Sequence, residues 1–336
     1  MPLPLIPLAI IGVTAAAGVK KLYDASQNTK EANQTNSNAQ ALYTKARNDL
    51  NDARATTDKA LQTLGRKKLD SLTQDIHHFV ESFSQLHNVN LMESEGLDEL
   101  SKIQITPETL ADMKEQSSLA IGMASGLAQG TAAGSLAAFG AYNAATLFAS
   151  ASTGTAISTL SGAAATNATL AFFGGGSLAA GGLGMAGGTM VLGGLIAGPA
   201  LAVMGYKINA KAEENLENAR SNLAQAKKIK EELDAASEAC RAITARTDMF
   251  TKLLTRLTNI FKPLLMKMDD IIKTSGTDFE KFTKQEKSMI AMAASVALAV
   301  KKVLDTPILT KDGALTDESA MVQMETAMFL KSTGLE

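Results

Sequence analysis

Residues 116–140 read QSSLAIGMASGLAQGTAAGSLAAFG. They open a run of 91 residues, 116–206, that contains no Asp, Glu, Lys, Arg or His and is bounded by Glu115 and Lys207. A solvent-facing helix needs a charged or strongly polar side toward water, and here Ser, Thr, Asn and Gln are all there is to supply one. Gly122, Gly126, Gly130 and Gly134 recur at every fourth position and Ala138 extends the row, so a helix would carry them as one flat ridge. Each helical glycine costs about 1 kcal/mol relative to alanine in water. The row therefore calls for something packed closely along it. Small residues let helix backbones approach one another, which is how helices associate in lipid, where apolar burial gives no drive.

A second row, Gly176, Ala180, Gly184 and Gly188, repeats the spacing. It runs into the window 183–205, whose 23 residues include Leu192, Leu195 and Ile196 and are enough to cross a bilayer. Residues 119–149, richer in Ala and Ser, form a second candidate, and the Ser- and Thr-rich stretch 150–182 reads as short helices and turns. Small side chains gain little from burial in lipid. The mild hydrophobicity thus leaves two readings open: a segment that inserts conditionally, or a soluble bundle whose Ala and Gly helices bury one another.

Outward from this centre the chain is amphipathic. Ala46, Leu50, Ala53, Thr57, Ala60 and Leu64 alternate steps of four and three, and Leu69, Leu72, Ile76, Phe79, Phe83 and Leu86 resume the stripe after a phase shift near Gly65. On the far side, Ala212, Leu216, Ala219, Leu223 and Ala226 lead into a matching seam from Ile229 through Leu233, Cys240, Phe250 and Phe261 to Leu264. A stripe this thin belongs to a long helix with one or two long partners, and two matched seams suggest an antiparallel pair, kinked or ended at Pro263. An antiparallel stalk would bring both ends of the centre to one side, so any membrane crossing would be even in number, most simply a hairpin with its tip near 153–175.

Local signals mark further helices. Thr106, Pro107 and Glu108 give a capping hydroxyl, a proline at the first helical position and an acid in the first turn. Thr283 and Glu286 form a capping box ahead of the apolar run 289–300, which is too short to span a bilayer and reads as a buried helix; Thr316, Asp317 and Glu318 start a last one. Residues 1–19 are uncharged and precede Lys20 and Lys21, the reverse of a cleavable secretory signal, and Pro2, Pro4 and Pro7 weaken a spanning helix there. A shallow anchor and a helix buried in the protein fit this segment equally.

The chemistry of enzymes is hard to find. The glycine rows lack the Gly-Lys-Ser/Thr ending that grips a phosphate, and no carboxylate pair or nucleophile with a base stands out, so no catalytic residue and no cofactor is expected. Among His77, His78 and His87, His77 could meet Glu81 one turn away, but further metal ligands are not evident. Cys240 is the sole cysteine and is spaced as a core position. A net charge of -2 with mixed signs gives no basic field for nucleic acid.

An uncharged glycine-rich insert between two long amphipathic arms, residues 25–270, resembles the plan of bacterial alpha-helical pore-forming proteins, and the glycine rows resemble those of glycine-zipper membrane proteins. The resemblance implies a head that enters a bilayer and arms that assemble. The fold expected is all-α: an elongated antiparallel coiled-coil stalk, a glycine-rich hairpin head and short C-terminal packing helices. Its segments are 1–24 (hydrophobic), 25–105 (first arm and connector), 106–206 (head), 207–273 (second arm) and 274–336 (C-terminal helices). The function expected is membrane insertion and oligomerisation that permeabilises or remodels a bilayer. Lipid and a second copy of the chain, or other coiled-coil proteins, are the expected partners. The chain would be membrane-associated, or cytoplasmic until insertion. The alternative is a soluble coiled-coil structural or adaptor protein with the glycine-rich centre as packed core.

Overall fold

The computed structural model describes residues 14–91, 105–127, 136, 139–141, 216–310 and 313–335. Every regular element among them is helical, with two isolated bridges, His87 to Asp278 and Leu309 to Leu315, as the only extended pairings, so the fold class is all-α. The helices are α1 (Thr14–Asp70), α2 (His77–Phe83), α3 (Pro107–Leu127), α4 (Leu216–Ser275), α5 (Lys284–Asp305) and α6 (Asp317–Ser332). A π-helical turn, Ser71–Ile76, joins α1 to α2. It lies past the phase shift of the apolar stripe, which falls at Gly65 within α1.

The caps anticipated from sequence are present. Thr106 Oγ1 accepts from the Thr109 N–H at 3.2 Å and Thr316 Oγ1 from the Ser319 N–H at 3.1 Å. At α5 the box is reciprocal: Thr283 Oγ1 accepts from the Glu286 N–H (3.3 Å), and Glu286 Oε2 accepts from the Thr283 N–H (2.8 Å). The run 289–300 is a buried helix face, with Ile290, Ala293, Ala294, Val296, Ala297 and Val300 in the core. Pro263 lies inside α4, which continues past it to Ser275.

The described residues fall into two compact units that cut across the five sequence segments. In the first, 14–53 with 216–239, α1 and α4 meet along Ala32, Ala39 and Ala46 on one helix and Ala219, Ala226 and Leu233 on the other, each set stepping by heptads. Arg220 pairs with Glu31 at 3.1 Å, and Asn222 Nδ2 donates to Asn36 Oδ1 at 3.0 Å. In the second unit, Thr57 Oγ1 donates to the Cys240 carbonyl (2.9 Å), Lys67 Nζ to Thr258 Oγ1 (2.8 Å), and His78 Nε2 meets Asp269 Oδ2 (2.6 Å).

These contacts correct the antiparallel expectation. In each unit the partner's number rises with the residue's own, at separations between 183 and 191, so α1 and α4 run parallel. A heptad stripe reads the same in either direction, and its spacing carries no information on orientation. Parallel arms do not impose an even number of membrane crossings. The hairpin itself lies largely outside the described residues.

The second unit holds the main core, built around Phe79, Phe250, Leu254, Phe261 and Met268 with the buried face of α5. Rings of Phe79 and Phe261 lie 5.9 Å apart, centroid to centroid. Ser275 Oγ donates to Glu286 at 2.5 Å where α4 gives way to α5, whereas the far end of α5, at Asp305, lies beside Lys68, whose neighbour Lys67 bonds Thr258. Helix α5 therefore runs back along α4.

Part of the uncharged stretch belongs to this core. Leu136, Phe139 and Ala141 are buried, and the Ala141 carbonyl accepts from the Ile308 (2.9 Å) and Leu309 (3.2 Å) N–H groups. Gly65 and Gly140 make the crossing possible. A Cβ on Gly65 would sit 1.9 Å from the Leu136 carbonyl oxygen, and one on Gly140 would sit 2.1 Å from that of Leu61. Both obstacles are backbone and cannot rotate away. Gly65→Ala is accordingly expected to cost about 1–3 kcal/mol by overpacking, read as a lower urea midpoint, while Ala55→Ser on the exposed side of α1 leaves the midpoint in place.

Candidate functional site

The start of the uncharged stretch rests on a seat of buried side chains. Helix α3 carries its first residues. Met113, Gln116, Ser117 and Ala120 form its buried face, spaced three and four apart, and α3 packs on α2 and the π-helical turn. The first glycine of the ridge, Gly122, is on the exposed side, next to the 40% exposed Ile121. Gly126 is helical in α3, with its surroundings outside the described residues. Gly130, Gly134, Gly176, Gly184, Gly188, Leu192, Leu195 and Ile196 lie outside them altogether, as does the window 183–205.

Beneath α3 is a cluster of charged and polar side chains from three helices. Lys301 of α5, 13% exposed, meets Asp112 of α3 at 2.5 Å and also pairs with Asp305 one turn along its own helix. Gln116 Nε2 donates to both Asp112 oxygens (3.1 Å each) and to Asp305 Oδ1 (3.3 Å). These donations fix the amide, and its Oε1 is left buried without a hydrogen-bond partner. An orphaned buried acceptor costs about 1–3 kcal/mol. The pairs 112–301 and 116–305 also show that α3 and α5 run in the same direction.

Lys68 of α1 completes the cluster. It is fully buried, and burial pulls its ammonium down to about 7, against the pull of Asp305 in the opposite sense. Burial acts on Lys301 in the same sense, yet Asp112 and Asp305 together carry that ammonium above its ordinary value. Lys301 is thus paired to two carboxylates, and Lys68 is fully buried with Asp305 as a nearby anion. No sequence signal was assigned to Lys68, although it stands in the apolar stripe between Leu64 and Leu72, where a charge is out of place. Gly65 and Gly140 were likewise unassigned; a glycine at the phase break of a heptad stripe is the signal that could have found the first.

Two other polar groupings bind the long helices. His78 and Ser82, the latter at 2.5 Å, both bond Asp269, so this carboxylate ties α2 to α4. His77 meets Glu81 at 3.3 Å, one turn away. Among the described residues no group of three or more His, Cys, Asp or Glu could hold a metal ion. Burial pushes the Asp75 carboxyl up, partly offset by Lys262 and Lys67, and burial pushes the Cys240 thiol up as well, against the Arg54 guanidinium.

No protein-family model, no curated protein and no solved structure matches this chain. The energetic weight of the polar cluster is measurable: Asp305→Ala removes an anion shared by Lys301 and Gln116 and the one beside Lys68, and should cost about 2–3 kcal/mol, below the full value for a buried pair because Asp305 is partly exposed. Lys230→Ala, which breaks an exposed one-turn pair with Asp234, should leave the urea midpoint unchanged.

Proposed function

We propose that this chain is a helical protein that inserts conditionally into a bilayer, oligomerises there, and permeabilises or remodels the membrane through its uncharged segment. The observation that carries the reading is the 91-residue stretch without charge, rich in glycine at helical spacing. Part of it is stored on a water-compatible helical body, where α3 turns a partly polar face inward and Ile121 and Gly122 outward. The paired long helices are read as a coiled coil that carries the segment and offers surfaces for further copies of the chain. Among the described residues no helix is long and apolar enough to cross a membrane. The spanning role falls to 183–205, outside them, with Gly176, Gly184 and Gly188 as the packing ridge.

One observation favours the alternative of a soluble structural or adaptor protein. Gly65 and Gly140 already use a glycine-to-glycine contact inside the core, so small residues in this chain can serve intramolecular packing. Flotation and dye release with anionic and neutral vesicles separate the two. The insertion reading expects the chain to float with vesicles and release dye, with Gly126→Leu and Gly130→Leu reducing release at least tenfold. Absence of lipid association at every pH tested, with a defined soluble assembly by light scattering, would select the alternative.

A further inference from the structure

We infer that the outer face of α6 is a self-association surface, on which a second copy of this chain docks its own α6 antiparallel, about a two-fold axis at Met324. The polarity of the helix is inverted. Its buried side is Ser319, Val322, Thr326 and Leu330, two of them hydroxyl residues, whereas Met321, Met324 and Met328 stand outward at 49%, 60% and 56% exposure. Residues three and four apart share a helix face, so the methionines form one ridge, widened by the exposed Ala320 and Ala327. Among the described residues the other exposed large apolar side chains are Ile121 and Met266, each on a different helix. Single apolar residues on a surface need no explanation, but three in line do. The ridge cannot roll inward: Val322 and Leu330 belong to the core, Arg246 of α4 donates to Ser319 Oγ at 3.1 Å, and Lys302 of α5 meets Glu318 at 3.7 Å.

The ends of the ridge point to its occupant. Asp317 and Lys331, both exposed, extend the line of methionines by one step at either end, four residues before Met321 and three after Met328. An acid at the start and a base at the end of a helix answer its dipole wherever they stand on it, but here both stand in line with the ridge. Each is seven residues from Met324, about 10.5 Å at about 1.5 Å per residue. A copy turned about a two-fold axis at Met324 therefore sets the partner's Lys331 opposite Asp317 and the partner's Asp317 opposite Lys331, with methionines against methionines between them. A patch that is its own complement is what an isologous pair requires. Methionine suits the contact because its flexible side chain packs without a preformed socket. A bilayer surface fits less well: Asp317, Glu318 and Glu325 outnumber Lys331 on this helix, whereas interfacial helices carry Lys and Arg beside their apolar face. One 16-residue helix offers less than the about 1,200 Å² of a stable interface, so the pairing is weak and concentration-dependent. It belongs to the chain in water and does not rest on the insertion reading.

Sedimentation equilibrium of the full-length chain, in buffer free of lipid and detergent, tests the pairing. The average mass should rise with concentration, and Met324→Glu should move that rise to an at least tenfold higher concentration without loss of helicity. Asp317→Lys and Lys331→Glu should each weaken association about tenfold, since two exposed ion pairs become two repulsions. An equimolar mixture of those two variants should recover it, because each then meets the opposite charge. In a Cys240→Ser background, Met324→Cys should oxidise to a disulfide-linked dimer. Glu318→Cys should not, because six residues from the axis it lies about 18 Å along the helices from its counterpart. A mass that does not rise with concentration, or association unmoved by all three substitutions, would overturn the proposal. A mixture as weak as its components would overturn the antiparallel pairing. Vesicle flotation that is lost in Met324→Glu, while the free chain stays single, would give the ridge to lipid instead.

Discussion

The parallel pairing of α1 and α4 is the constraint from which the rest follows. In a parallel pair the second helix must run in the direction of the first, so the chain between them has to come back. In the second unit α3, which lies between them in the chain, runs in this returning direction, and α5 runs back along α4 after it. Orientation has identifiable causes. Asn36 faces Asn222, and a polar pair of this kind satisfies its hydrogen bonds in one register, whereas alanine seams such as Ala32, Ala39 and Ala46 tolerate many. At the other end, the His87 N–H donates to the Thr277 carbonyl and the Phe279 N–H donates to that of His87, so the two helix exits are stitched together.

Against this frame the start of the uncharged stretch is held by two unlike devices. The Gly65 and Gly140 crossing is steric: it admits close backbone contact and tolerates no added carbon on either side. The cluster of Lys301, Asp112, Asp305 and Gln116 is electrostatic and joins α3 to α5. The orphaned amide oxygen of Gln116 is a cost within it.

Much of the fold was legible in the sequence because its causes are local. The caps at Thr106, Thr283 and Thr316 depend on residues within one turn, and the buried run in α5 shows in its own apolarity. The seam residues Ala46, Leu50, Thr57 and Leu64 are all buried, as their spacing required. Direction was not legible, since a heptad stripe is symmetric to reversal. The seat was not legible either, because Lys68, Asp305 and Gln116 acquire meaning only when three helices separated by long stretches of chain are brought together. Lys301 and Asp305, one turn apart, read in isolation as an ordinary solvated pair.

The parallel arrangement can be tested by short-span cross-linking within one chain, in a Cys240→Ser background. With Glu31→Cys and Arg220→Cys, whose native side chains pair at 3.1 Å, a short bis-maleimide should link the two helices in high yield at a concentration where chains do not meet. With Glu31→Cys and Glu238→Cys it should not, since position 238 lies 18 residues farther along α4, roughly 27 Å at about 1.5 Å per residue. A link in the second pair and none in the first would contradict the parallel pairing and everything derived from it.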